Sequence, residues 1–426
     1  MRIFKRNSHR ALNQSDYFKN RALKSYNRKR LVAEVTKVRF LETQFIRNEA
    51  EKQLFIKAKN LSEKFFERAE KHDREATFPF DNFADLKEEG FLSLTIPKSH
   101  GGQGISLYTF LLLQEKLAEG DAATALSAGW HLGLFLSLRE TGKWDPELFK
   151  KITREVIESG KLVNSAASES KTGSPARGGK PETAAVKKGE KWLISGRKIF
   201  ASLAPILDYF IVTATIEETG DIGEFLVPRE AAGVRIEETW DTMGMRGTRS
   251  DDLILDGVLL DASALIANRS KPAKPMAQGW LLHIPACYLG IAIAARNEAV
   301  RFARNYHPNS LPHPIMDVPE VRRKVAEMDI KLLTARQLMY ATAEKWDTKP
   351  DERSELQTEL AAAKYTATNI AIEVVDLAMR IEGGQSLFRN KPLERFYRDV
   401  RAGLHNPPSD DITVKIMADR AFSEEE

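Results

Sequence analysis

The chain of 426 residues is 42% hydrophobic and 29% charged, which excludes a fibre or a disordered polymer and allows more than one domain. Its one cysteine, Cys287, excludes an intrachain disulfide framework and a cysteine-rich zinc site, and it points to a reducing compartment. The net charge of +4 is unevenly placed: residues 1–40 hold 12 Lys/Arg against 2 Asp/Glu, leaving 52 against 58 in the rest.

Residues 1–40 lack the apolar run of a secretory signal and read as a basic extension, expected to be disordered. The same composition suits an organelle transit peptide or a nucleic-acid-binding arm. The remainder is therefore expected in the cytoplasm, or in the mitochondrial matrix if the extension is a transit peptide. Residues 41–160 carry helical signals. Leu54, Ala58, Leu61, Phe65 and Ala69 form one stripe at spacings of 4, 3, 4 and 4, a second helix fits residues 80–89, and a Pro/Gly loop then separates two apolar helical segments.

After residue 160 the period shortens. Runs at 183–186, 192–195, 209–216, 224–227, 234–236 and 253–260, divided by turn sequences such as KKGEK and EETGDIG, predict strands without intervening helices. That pattern favours an antiparallel sandwich or barrel over residues 161–275. From residue 276 the helical period returns. Residues 279–295 are shorter than the roughly 20 needed to span a bilayer and contain His283 and Pro285, so they read as a buried core helix. Val321, Val325, Met328, Leu332, Ala335 and Met339 make one long stripe, and Leu356 to Ile381 make another that Gly383 and Gly384 terminate. The expected fold is α+β and multidomain: an N-terminal helical bundle, a middle antiparallel β domain and a C-terminal four-helix bundle.

Five segments carry more than periodicity. They are GFLSLTIPKSHGGQG (residues 90–104), SAASESKTGSP (165–175), GRKIFAS (196–202), DTMGMRGTRSDDLILDGVLL (241–260) and RIEGGQSLFRNKPLERFYRDVRAG (380–403). In this order, between helical blocks, they resemble the acyl-CoA dehydrogenase superfamily of flavoproteins. The resemblance implies FAD as cofactor, an oxidoreductase acting on a CH–CH bond of an acyl-CoA-like substrate, an electron-transfer flavoprotein as partner, and a homotetramer. It places Ala167 and Ser168 at the polar edge of the isoalloxazine and Ser174 near the pyrophosphate or the substrate. Phe200 would pack on the flavin, with Ala201 and Ser202 beside N5. Gly383 and Gly384 would approach a flavin held mainly by a neighbouring subunit.

The likeness departs where the chemistry matters. A dehydrogenase of this kind needs a carboxylate base for the α-proton. Counting on from Asp399, the place of the usual glutamate holds Pro407, with Asn406, Pro408 and Ser409 around it. The alternative place, near Trp280 and Leu281, has no carboxylate, which leaves Asp410 and Asp411 as the acids a shifted loop could supply. His405 lies two residues before Pro407, as in the branch resembling dibenzothiophene or hydroxyphenylacetate monooxygenases, which use reduced flavin (FMN in the alternative reading), a flavin reductase and an aromatic substrate. A histidine suits that chemistry because it exchanges a proton near neutral pH. His131, on a helix expected to face the substrate cavity, is the second catalytic candidate. The other histidines show no metal spacing, so no metal is expected. A flavin-binding scaffold without catalysis is the reading from another class.

Overall fold

The computed structural model describes residues 40–172, 179–269 and 277–423. Residues 1–39 of the extension read as disordered, and Ser174, lie outside the described residues. Met1–Arg47 form one unit, of which the helical turn α1 (Phe40–Thr43) is described, and the chain from Asn48 onward forms a second.

The second unit opens with α2 (Glu49–Glu75), whose first turn is capped by Asn48 Oδ1 accepting the Glu51 N–H at 2.9 Å. Its predicted stripe is buried at Ala58, Leu61, Phe65 and Ala69, while Phe55 is buried beside Leu54, which is half-buried. Next come α3 (Phe80–Glu88), α4 (Leu107–Gly120), α5 (Ala122–Thr141) and α6 (Pro146–Ser159). Ser106, Asp121 and Asp145 cap the last three by accepting main-chain N–H groups. Helix α4 is buried on every side from Leu107 to Leu117, its polar Thr109, Gln114, Glu115 and Lys116 included.

Eight strands follow: β1 (Val163–Ala166), β2 (Ala184–Lys188), β3 (Lys191–Lys198), β4 (Tyr209–Ile216), β5 (Ile222–Pro228), β6 (Val234–Glu237), β7 (Asp252–Asp261) and β8 (Leu265–Arg269). The sheet runs β6-β7-β3-β2-β4-β5-β8, with β1 beside β4. All six predicted strands are present, and β4 has the predicted bounds. Strands β1 and β8 were not predicted, because four or five residues give too short an alternation to register. Pairing is mostly antiparallel, but β4 receives both β1 and β2 in parallel.

The C-terminal helices are α7 (His283–Asn305), α8 (Pro319–Thr348), α9 (Gln357–Glu382), α10 (Pro392–Val400) and α11 (Asp410–Ser423). Helix α7 packs on α4 and α9, and α8 packs on α9. The segment Gly279–Asn305 is long and apolar enough to cross a membrane, yet 83% of that window is buried inside the fold, so it is a core helix. A bidentate pair, Arg336 Nε and Nη2 on Glu115 Oε2 and Oε1 at 3.0 and 2.7 Å, ties α8 to α4 in the buried interior.

Gly290 sets the approach of α7 to α4. A Cβ there would stand 2.4 Å from the Glu115 carbonyl oxygen, a main-chain atom that cannot swing away. Gly290→Ala is therefore expected to force the two helices apart and cost about 1–3 kcal/mol of stability. A urea unfolding midpoint equal to that of the parent protein would refute this close-packing account.

Candidate functional site

The site begins at a buried ion pair. Lys198 closes β3 with its ammonium wholly buried, 2.5 Å from Glu169 Oε1. Glu169 also accepts the Thr183 N–H at 3.1 Å, the Thr183 hydroxyl at 2.7 Å, the Glu182 N–H at 2.5 Å and the Thr172 hydroxyl at 2.9 Å. Burial alone pushes this carboxyl up, but the Lys198 ammonium and the Thr183 and Glu182 donors outweigh it and hold the pKa down at about 2. Burial also lowers the Lys198 pKa, against Glu169. With five donors converging on the carboxylate, the pair is ionised at neutral pH.

This anchor fixes the segment that carries Ala167 and Ser168. Both are half-buried. The Ser168 carbonyl accepts the Ile199 N–H at 2.9 Å, which joins the segment to the next motif. There the chain turns through left-handed φ values at Phe200 (58°) and Leu203 (71°), and the facing loop does so at Met245 (53°) and Arg249 (41°). Among the described residues only Ala76 otherwise shows a positive φ without being glycine. Backbone strain of this kind concentrates where a site is shaped. The two loops are laced together: the Ala201 N–H donates to Asp251 O and the Leu203 N–H to Thr248 O, each at 3.2 Å. The Ser202 hydroxyl lies 2.8 Å from that of Ser250, which lies 2.9 Å from that of Thr248. Asn164 on β1 donates to Ser202 O at 3.1 Å.

The strained turn leaves Phe200 58% exposed while Ala201 and Ser202 are buried. Its ring lies perpendicular to that of Trp240, the centroids 6.0 Å apart. An aromatic face held open on a rigid turn, above a chain of hydroxyls, is a surface that a flat heteroaromatic ring covers well. The residues present thus fit a flavin: Phe200 to stack, and Ser168, Ala167 and Ser202 to offer hydroxyl and main-chain groups.

The Met243–Met245 segment rests on α10. Asp399 is buried and accepts the Met245 N–H at 2.5 Å. Burial raises its pKa to about 7, more than Arg395 and the Met245 N–H lower it. Arg398 reaches the other way, to Asp73 at 2.5 and 2.8 Å, to Glu394, and to Met243 O. Arg398 and Asp399, adjacent in sequence, therefore hold two different elements. Between the end of α2, this loop and α10 opens a cleft of about 260 Å³ that contains Arg74, Arg246, Arg389 and Arg398.

His405 follows the turn Arg401–Leu404, with its ring exposed. Beside it Asn406 Oδ1 accepts the Tyr288 hydroxyl at 2.5 Å, and Pro407 and Pro408 are half-buried. Asp410 is occupied by Lys364 at 3.2 Å and Asn369 at 3.0 Å, and Asp411 is exposed on α11. His131 is wholly buried, with one ring nitrogen 3.0 Å from Leu92 O and the other 3.1 Å from the Val163 nitrogen. Burial lowers its pKa to about 4, so it is a neutral clamp between α5 and β1. This corrects the expectation that His131 faces a cavity. Gly383 and Gly384 are exposed at the end of α9, with Gly383 at φ 65°. The structure thus joins Ala167, Ser168, Phe200, Ala201 and Ser202 in one hydrogen-bonded unit.

Three family models match in chain order: acyl-CoA dehydrogenase N-terminal domain over residues 48–144, middle domain over 164–258 and C-terminal domain over 282–406. The chain belongs to the acyl-CoA dehydrogenase family. YdbM of Bacillus subtilis (strain 168), named for these dehydrogenases, is 48% identical over 378 residues, covering 89% of this chain and 99% of its own. L-evernosamine nitrososynthase of a Micromonospora species is 30% identical over 361 residues, covering 78% and 80%. The butyryl-CoA dehydrogenase structure from Megasphaera elsdenii superposes with a TM-score of 0.79 over 88% of this chain and 99% of that one, at 21% identity, which shows the fold. Membership in the acyl-CoA dehydrogenase family makes the protein a flavoprotein of the oxidoreductase class. Glu169, Asn164, Trp240 and Ser250 were missed as site residues. Lys198, a cation in a strand whose other residues alternate, was the available signal for Glu169.

Proposed function

We propose that this family member is a reduced-flavin-dependent monooxygenase in which His405 acts as the proton donor. The observation that carries the reading is that neither position at which the family resemblance places the base for α,β-dehydrogenation holds a carboxylate. Pro407 stands in the glutamate's place, Trp280 and Leu281 in the alternative one, Asp410 is paired with Lys364, and Asp399 holds the Met245 N–H. The likeness to a nitrososynthase supports the same branch.

A reduced flavin bound at Phe200 and Ser202, FMN or FAD delivered by a separate flavin reductase, would supply the activation of molecular oxygen. The chain's own part is positional. Phe200 orients the ring plane, Glu169–Lys198 and Asn164 stiffen the loops that carry Ser168 and Ser202, and Asp399 fixes the facing loop. His405, exposed on the short turn after Leu404, is the proton donor in this reading. Gly383 and Gly384, followed by Leu387 and Phe388 at 70% and 62% exposure, support a subunit contact at the end of α9 and hence a homotetramer.

The second reading, FAD-dependent dehydrogenation of an acyl-CoA with an electron-transfer flavoprotein as acceptor, is favoured by the identity to YdbM. Anaerobic titration with a panel of acyl-CoAs separates the two. Monooxygenation predicts no bleaching of the oxidised flavin, and bleaching by any acyl-CoA sinks it. His405→Ala is expected to lower substrate oxygenation per reduced flavin consumed by about 100-fold, the lower end of general acid–base contributions. An unchanged oxygenation yield removes His405 from the mechanism.

A further inference from the structure

The turn that carries His405 is gripped by one side chain of α7. Tyr288 is wholly buried, and its ring and its hydroxyl meet the turn at two different places. Gly403, itself buried, lies against the ring: a Cβ there would stand 3.0 Å from Tyr288 Cγ and Cδ2, tighter than side chains normally pack. Glycine at this position lets the main chain itself approach the aromatic ring. Three residues on, Asn406 Oδ1 accepts the Tyr288 hydroxyl at 2.5 Å. His405 lies between these two contacts, its N–H donated to Ala402 O at 3.1 Å and its ring exposed.

The hydroxyl contact has a fixed sense. Burial, with Cys287 and Asp399 nearby, pushes the Tyr288 phenol well above its ordinary pKa, so it keeps its proton and must place it. A buried O–H left without an acceptor is costly, and the Asn406 amide oxygen is the acceptor in reach. The other end of the turn is tied to different elements. Arg401 Nη2 donates to Asp376 on α9 at 2.9 Å, and its guanidinium lies 4.5 Å from the centroid of the Tyr397 ring on α10. The turn thus enters on α9 and α10 and leaves on α7.

An exposed imidazole has little packing of its own to fix it, so it takes its place from the main chain on either side. Misplacing a reacting group by about 1 Å can cost about 100-fold in rate. We infer that Tyr288 is the positioning residue of His405, clamping the chain before and after the histidine through Gly403 and Asn406. This deepens the oxygenation reading and rests on its assignment of His405 as proton donor. Being wholly buried, Tyr288 acts through the turn and not on a ligand.

Hydrogen–deuterium exchange of the purified protein, read by mass spectrometry over residues 401–409, tests the clamp. Tyr288→Phe keeps the ring against Gly403 and removes only the hydroxyl. Asn406→Leu removes the acceptor from the half-buried side, and Asn406→Asp keeps an acceptor oxygen. Exchange over 401–409 is expected to quicken about tenfold in Tyr288→Phe and in Asn406→Leu, the effect of one lost hydrogen bond on a local opening. It is expected to stay at the parent rate in Asn406→Asp, with the rest of α7 unchanged in all three. A tyrosine that only fills the core would leave 401–409 unchanged, or loosen α7 along with it, and either result overturns the proposal. Whether the clamp reaches the chemistry is read without a substrate, by mixing protein loaded with reduced FMN with oxygen and following the return of oxidised-flavin absorbance. Tyr288→Phe is expected to shift that rate about tenfold in the same direction as His405→Ala, and to leave it unmoved where His405 is already Ala. Equal shifts in both backgrounds overturn the proposal, since Tyr288 would then act without His405. If His405→Ala itself leaves the rate unchanged, the proton-donor reading is what fails, and the exchange measurement still decides the clamp.

Discussion

Lys198→Met is expected to lower the unfolding free energy by about 3–5 kcal/mol, the usual consequence of leaving a buried charge without its counter-ion. Glu169 is 2% exposed, and four of its five donors remain in the variant. What it loses is the Lys198 ammonium, 2.5 Å away. The variant carboxylate should then titrate upward from about 2, since burial already opposes its charge. The second consequence is functional. Glu169 anchors the segment bearing Ala167 and Ser168, so the purified variant should retain less flavin than the parent. Lys198→Met with Glu169→Gln should recover part of the stability, because the amide removes the buried charge and its oxygen still accepts the two Thr183 donors, while its nitrogen cannot accept the Glu182 N–H. Guanidinium unfolding of the three proteins decides this. Equal midpoints for the parent and the single variant would show that the pair contributes nothing.

The architecture was legible because its signals are long. The stripes of α2, α8 and α9 repeat over many turns, and β4 presents a run that is β-branched or aromatic at every position but Ala214, so each announces itself locally. Strand β1 does not: its four residues, VNSA, become a strand through parallel pairing with Tyr209 to Val212 far along the chain. The same divide runs through the site. GRKIFAS and SAASES were recognisable as segments, but a sequence does not show that Glu169 lies under Lys198 or that Ser202 meets Ser250. His131 and His283 make the point most clearly. In the string SAGWHLGLF the histidine draws attention, yet helical geometry turns His131 inward to Leu92 and Val163. Gly129, Trp130 and Gly133 face the ring of His283 and Trp280, 150 residues away. Periodicity predicts which residues are inside a helix pair. It does not predict which buried polar atoms are left without partners, because that depends on the opposing element.

The pH dependence of stability is expected to turn on Asp399. Its folded-state pKa of about 7 lies well above the ordinary aspartate value, so the fold prefers the protonated acid. A raised carboxyl contributes stability that is fully present below about pH 4 and is lost as pH rises through 7. Over that span of about three pH units the loss amounts to about 4 kcal/mol. Glu169 has the opposite sign. Its pKa is depressed to about 2, so its contribution is complete above about pH 4.5 and is lost as pH falls through 2. Taken together, these two groups place the stability maximum near pH 4–5. Asp399→Asn keeps an amide oxygen to accept the Met245 N–H but cannot ionise. Its urea midpoint should stay nearly level between pH 5 and 8 while that of the parent declines, and the variant should be the more stable protein at pH 8. Parallel declines would show that Asp399 is not the group responsible. Because Asp399 holds the loop that contains Met245, Thr248 and Ser250, and that loop backs Ser202, ionisation above pH 7 should also loosen the cradle around Phe200. The parent should therefore lose flavin more readily at pH 8 than at pH 6, with the difference absent in Asp399→Asn.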